Sequence, residues 1–151
     1  VIDERLAELN AIAGVTGSFV CDNSGRVIAS SFTDDVDMTS IRDVAREVVQ
    51  TSAVLSEVQE SAGELDLQYA RSRLVVRDLD DRLLVVVCGH EVDIAMLRMT
   101  LNVAAPQLRD DAELGSRLRD SLKVRQVLES ELDELSWQLL KALERKESND
   151  A

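Results

Sequence analysis

Aromatic side chains make up only 3% of this chain, with two Phe, one Tyr and one Trp. Ring platforms for bases or flavins are therefore scarce, and a core has to be built from Val, Leu, Ile and Ala. Histidine is scarcer still: His90 stands alone, which leaves no second imidazole for a metal site and no partner for a catalytic triad. Neither a Gly-Lys-Ser/Thr phosphate loop nor a Gly-x-Gly-x-x-Gly fingerprint occurs, so the chain is not expected to bind a nucleotide by itself. No cofactor, no metal and no catalytic residue are expected. Lysine is missing before Lys123, and every earlier basic residue is arginine. Arginine suits specific protein contacts, although codon usage explains the bias equally well. The two cysteines, Cys21 and Cys88, each sit in an apolar run, the setting of buried strand thiols in a reducing compartment. With no signal peptide and no apolar run of roughly 18 residues, a cytoplasmic location is the expectation.

Charge of the positive sign is also in short supply, with 17 basic residues against 29 acidic ones and a net charge of −12. Such a field repels phosphate backbones, and nucleic acid is not an expected partner. What is present is a globular balance of 45% apolar and 30% charged residues over 151 positions. That length suits one domain of about 100–120 residues with an appendage.

Ile2, Leu6, Leu9 and Ile12 mark a short amphipathic helix stopped at Gly14. Ser18-Phe19-Val20-Cys21 and Val27-Ile28-Ala29-Ser30 are strands joined by the turn Asp22-Asn23-Ser24-Gly25. A long helix spans residues 42–62, capped by Asp37 or Thr39 and free of proline and glycine until Gly63. Its apolar positions exceed the one face that a helix on a sheet must bury. The surplus on Val49, Ala53 or Val54 is a dimer contact or ordinary core. Three strands follow as a meander, Leu65 to Tyr69, Leu74 to Arg77 and Leu83 to Cys88, the first strictly alternating and the last apolar throughout. Residues 92–105 return to helix, with Ile94, Leu97, Leu101 and Val103 or Ala104 inward and an end or kink expected at Pro106. Domain 1–112 then gives way to a helical extension, 113–151. Leu118, Leu128, Leu132, Leu135 and Leu139 form its heptad-like seam, and Trp137 falls off it.

The segment Leu6-Ala7-Glu8-Leu9-Asn10-Ala11-Ile12-Ala13-Gly14-Val15-Thr16-Gly17, with the strand, Asp-x-x-Gly turn and strand through Ser30, resembles the opening of Roadblock/dynein light chain domains. The bacterial or archaeal MglB-like members are included in that likeness. Leu83-Leu84-Val85-Val86-Val87 resembles the family's last strand, and the likeness spans residues 2–110. It implies an α/β (α+β) Roadblock/longin-like, profilin-like αββαβββα fold, a five-stranded antiparallel sheet flanked by helices. It also implies a homodimer formed through the middle helix and the neighbouring strand. Those positions here are Val48, Val49, Ala53 and Leu55, then Leu65, Leu67 and Tyr69.

Family members are platforms or regulators for small Ras-like GTPases, some acting on hydrolysis only by remodelling the GTPase. The resemblance thus implies a non-enzymatic scaffold whose partners are itself and such a GTPase. Arg71, Arg73, Arg77 and Arg82 are the candidate contacts, set against the plainer reading of salt-bridged surface residues. The extension lies outside the shared module and inherits no role. His90 is expected to be structural or exposed, and Asp34-Asp35-Val36-Asp37 a solvated loop that caps a helix, since it lacks the glycine and distal Glu of a calcium loop. Two alternatives remain open: a PAS- or GAF-like ligand sensor, and a structural adaptor signalling through its C-terminal helices.

Overall fold

The computed structural model describes residues 2–58 and 63–149, with the side chains of 56–58, 121–130, 132–133 and 144–149 outside the description. The elements run α1 (Ile2–Asn10), β1 (Val15–Asp22), β2 (Val27–Phe32), α2 (Met38–Val58), β3 (Glu64–Gln68), β4 (Arg73–Asp78), β5 (Arg82–Cys88), α3 (Ile94–Arg109) and α4 (Ala112–Asn149). The five strands form one sheet in the order β2-β1-β5-β4-β3. Every neighbouring pair is antiparallel. This is the αββαβββα arrangement with a further helix. The chain divides into two compact units, residues 1–117 and 118–151.

Local chemistry sets the boundaries. The Asp22 carboxylate accepts from the Ser24 N–H at 2.9 Å, the Ser24 hydroxyl at 2.6 Å and the Arg26 N–H at 3.0 Å, which closes the β1–β2 turn. Asp37, Asp93 and Asp111 begin α2, α3 and α4 by accepting from the N–H groups of Thr39, Met96 and Leu114. Gly14 has φ +90°, and a Cβ there would lie 2.7 Å from the Val92 Cα. Only glycine lets the exit of α1 pass this close to the segment that follows β5.

Two apolar cores lie on opposite sheet faces. The first joins Ile2, Leu6 and Leu9 of α1 and Leu97, Leu101 and Leu108 of α3 to Val20, Val75, Leu84 and Val86 of the sheet. The second sets Ile41, Ala45 and Val48 of α2 on Phe19, Cys21, Leu74, Val76, Leu83 and Val85. Consecutive β5 residues thus point into different cores, which is why that strand carries no polar alternation. Strand β3 alternates because its faces differ. Leu65 and Leu67 pack toward the α2 core. On the other face Glu64 pairs with Arg77 and Arg98, and Asp66 with Arg73.

Several boundaries depart from expectation. Helix α3 runs on to Arg109 with Pro106 inside it. The proline removes one backbone donor in the last turn, while Ala105 and Leu108 stay buried and hold the helix together. Ala104, not Val103, is the inward residue; Val103 is 61% exposed. The expected end of the middle helix, residues 59–62, lies outside the described residues. In the second unit Leu118 stands at the start, Leu135, Trp137, Leu139, Leu140 and Leu143 are exposed, and the Lys141 ammonium sits 5.5 Å from the centre of the Trp137 ring. Leu128 and Leu132 lie among the undescribed side chains. Among the described residues no helix is long and apolar enough to cross a membrane.

Candidate functional site

One helix cannot cover five strands. The α2 face of the sheet therefore keeps a margin where apolar side chains are only partly covered: Val44 and Val49 of α2, Leu65 and Leu67 of β3, and Val87 of β5. Further along α2, Val54 is 62% exposed and Ala53 is exposed as well, while Leu55 is half-buried. Among the described residues β3 ends the sheet, so its outer row of backbone groups has no described strand beside it.

A groove of about 540 Å³ opens here, lined by Val44, Glu47, Tyr69, Arg71, Leu74 and Val87. Tyr69 forms one wall and is 39% exposed. Burial, and then the Glu47 carboxylate on α2, raise its phenol above the usual range. Its backbone is fixed at both ends: the Tyr69 N–H donates to the Ser72 carbonyl at 2.8 Å, and His90 Nε2 donates to the Tyr69 carbonyl at 2.7 Å. The lone histidine thus holds the β3–β4 turn that carries the tyrosine.

Of the positions assigned to a dimer contact, Val49, Ala53, Leu55, Leu65, Leu67 and Tyr69 retain surface along this margin. Val48 does not. It is fully buried on the inner face of α2, pressed into the second core, and has nothing left to offer a partner. The four arginines assigned to a GTPase do not converge. Arg73 is held by Asp66 through Nε at 2.8 Å and a second, shorter bond. Arg77 reaches Glu64 and the Asn102 side chain of α3. Arg82 is 5% exposed and pairs with Asp81, which withdraws it from any surface. Arg71 alone of the four lines the groove.

Cys21 and Cys88 are free and buried, one in each core, so the sheet itself separates them. Burial pushes the thiols up to about 12 and about 11. Neither is a nucleophile at neutral pH. Among the described residues, no group of three or more His, Cys, Asp or Glu is placed to hold a metal ion. Val44, Leu74 and Val87, which build the groove, were invisible as a site in the sequence because each reads as an ordinary apolar position.

An antiparallel five-stranded sheet with α1 and α3 on one face, α2 on the other and a partly covered apolar margin defines an α/β (α+β) module. No family model matches the chain. The uncharacterized protein MJ0714 of Methanocaldococcus jannaschii is 27% identical over 117 residues, covering 72% of this chain and 94% of that protein. Among solved structures, the Roadblock/LC7 domain from Streptomyces avermitilis matches with a TM-score of 0.64 at 16% identity, over 71% of this chain and 93% of that one. MglB in a tetrameric arrangement matches at 0.63 and 20% identity, over 76% and 88%. The fold is the Roadblock/LC7 fold, in a form similar to MglB.

Proposed function

We propose that the chain is a homodimeric, non-enzymatic scaffold that holds a small Ras-like GTPase, with residues 1–112 as the Roadblock module and 113–151 as a helical extension. The observation that carries the dimer is the partly covered margin: half-buried Leu65, Leu67 and Val49 beside β3, the edge strand among the described residues. A second copy placed there by a two-fold axis would cover both apolar margins at once and could pair β3 with β3. A structure of MglB, a protein of the same fold, is of a tetrameric arrangement, which supports self-association as a property suited to this architecture. The GTPase follows from the resemblance to Roadblock domains. No chemical step is assigned to this chain, and Arg71 in the groove is the one arginine of the original four left for a partner. The phosphoryl chemistry belongs to the GTPase, and this chain would act by ordering its switch loops.

Light scattering of the full chain at micromolar concentration tests the first half. A dimer that Leu67→Asp converts to monomer supports the margin as the interface; a monomeric parent chain overturns it. Immobilised full chain presented with Ras-like GTPases of the same source, loaded with GDP or a GTP analogue, tests the second half. Retention of none of them in either state overturns the GTPase reading.

A further inference from the structure

Three arginines whose side chains form no salt bridge share one cleft, in a chain that carries 29 acidic residues. In the first unit Arg5, Arg73, Arg77, Arg82, Arg98, Arg109 and Arg117 each meet a carboxylate. Arg26, Arg42 and Arg46 of the same unit form no such salt bridge, and these three line a cleft of about 420 Å³ between the β1–β2 turn and α2, with Met38 at its rim. Arg71 is likewise without an ion pair, but it lines the groove described above and not this cleft.

The clustering sets like charges side by side. Arg42 and Arg46 stand one helical turn apart, where like charges destabilise a helix. Arg26 brings a third positive charge to the same opening. With acidic residues so abundant, the lack of pairing is not for want of carboxylates. Unpaired cations gathered in one concavity are what a bound anion would require.

The walls are rigid. Gly25 has φ +87°, and a Cβ there would lie 3.1 Å from the Arg46 Cα, so the turn is pressed against the backbone of α2. The Arg26 N–H is tied to the buried Asp22 carboxylate, which also holds the Ser24 N–H and hydroxyl. The three stems are therefore fixed on two braced elements, and little backbone ordering is left for a ligand to drive.

We propose that this cleft binds the diphosphate group of a small ligand. Three guanidinium forks match the oxygen edges of a di- or trivalent phosphate, whereas a single carboxylate engages one fork at a time. The volume falls in the range of small-molecule sites and exceeds what one phosphate ion fills. No aromatic ring lines the cleft, so the phosphates, and not a base, are what the site reads. The missing Gly-rich loop removes a backbone cradle for phosphate and leaves an arginine clamp open. The surrounding negative field slows anion capture and makes binding sensitive to salt.

Calorimetry on the full chain at fixed ionic strength tests this with inorganic pyrophosphate, inorganic phosphate and citrate, the last a multivalent anion without phosphorus. Pyrophosphate is expected to bind about tenfold or more tighter than either competitor, and Arg42→Gln, Arg46→Gln and Arg26→Gln are each expected to weaken it by about tenfold. Arg71→Gln is expected to leave it unchanged. All four side chains are exposed, and unchanged thermal melts of the variants show that any loss is not unfolding. Absence of binding at millimolar pyrophosphate, equal binding of citrate, or pyrophosphate affinity indifferent to all three substitutions overturns the proposal. These residues are not those of the α2–β3 margin, so failure here leaves the dimer reading standing, and the reverse.

Discussion

On the face that packs against α1 and α3, the sheet residues Val20, Val75, Leu84, Val86 and Cys88 are all out of water. On the α2 face the centre is equally dry, at Phe19, Val76 and Val85, but the periphery is left half-wet at Val27, Phe32, Leu65, Leu67 and Val87. The two faces differ in the number of helices laid on them, two against one, and at the β3 edge also in chemistry: there the α1/α3 face carries the ion-paired Glu64, Asp66, Arg73 and Arg77, and the α2 face carries Leu65 and Leu67. A face closed within the chain contributes to stability at any concentration, and a face closed by another chain does so only by mass action.

The sharpest break in that comparison is Leu101→Ala. Leu101 is fully buried in the closed core, and its truncation is expected to cost about 2–5 kcal/mol. Urea denaturation should show that loss at every protein concentration. Leu67→Asp, on the half-covered margin, should behave in the opposite way. The parent chain's melting temperature is expected to rise with protein concentration, and the variant's to be lower and flat. A parent chain whose melting temperature ignores concentration would mean that the α2 margin is not a dimer surface.

A gentler probe uses the one thiol in each core. Both are protonated at neutral pH, raised by burial to about 12 at Cys21 and about 11 at Cys88. Neither should be alkylated in the native chain at pH 8. Under urea too dilute to unfold the domain, Cys21, beneath a single helix, is expected to react before Cys88, which lies in the face closed by α1 and α3. Alkylation followed by peptide mass spectrometry reads the order, and simultaneous reaction would mean that the two faces open as one unit.

Where side-chain chemistry alternates along the chain, the architecture was legible in the sequence. Leu65 and Leu67 against Glu64, Asp66 and Gln68 gave β3 its two faces, and the apolar run Leu83 to Cys88 gave the central strand its burial on both. The surplus apolar surface of α2 was legible too, but not its division: Val48 went to the core and Val49 to the margin, a choice made by the helix's rotation on the sheet. The helix did not end at Pro106, because local preference yielded to burial of Ala105 and Leu108. The pairing of the arginines was the least legible. Arg73, Arg77 and Arg82, close in sequence, are each taken by a nearby carboxylate, while Arg26 meets Arg42 and Arg46 only once the β1–β2 turn folds onto α2. Proximity in sequence says little about arginines whose pairing is decided by tertiary contact.

The smallest effect lies at the polar side of β3. Hydrogen bonding from Arg73 holds the Asp66 carboxyl below its ordinary value of 3.8, against the opposing effect of burial. Because the folded value is depressed, the contribution is fully present above pH 3.8 and is lost as the pH falls through the folded value, which lies below that point. Asp66→Asn removes the charge at every pH. For a pair so near the surface the cost is about 0.5–1 kcal/mol at neutral pH. The parent and the variant should therefore differ in urea midpoint at pH 7 and converge below pH 3.8. The same substitution loosens the brace between β3 and β4, and with it the seating of Leu65 and Leu67 on the opposite face. A loss at pH 7 that grows on dilution would place that brace in the dimer's support, whereas a loss constant with concentration would confine it to the fold of the single chain.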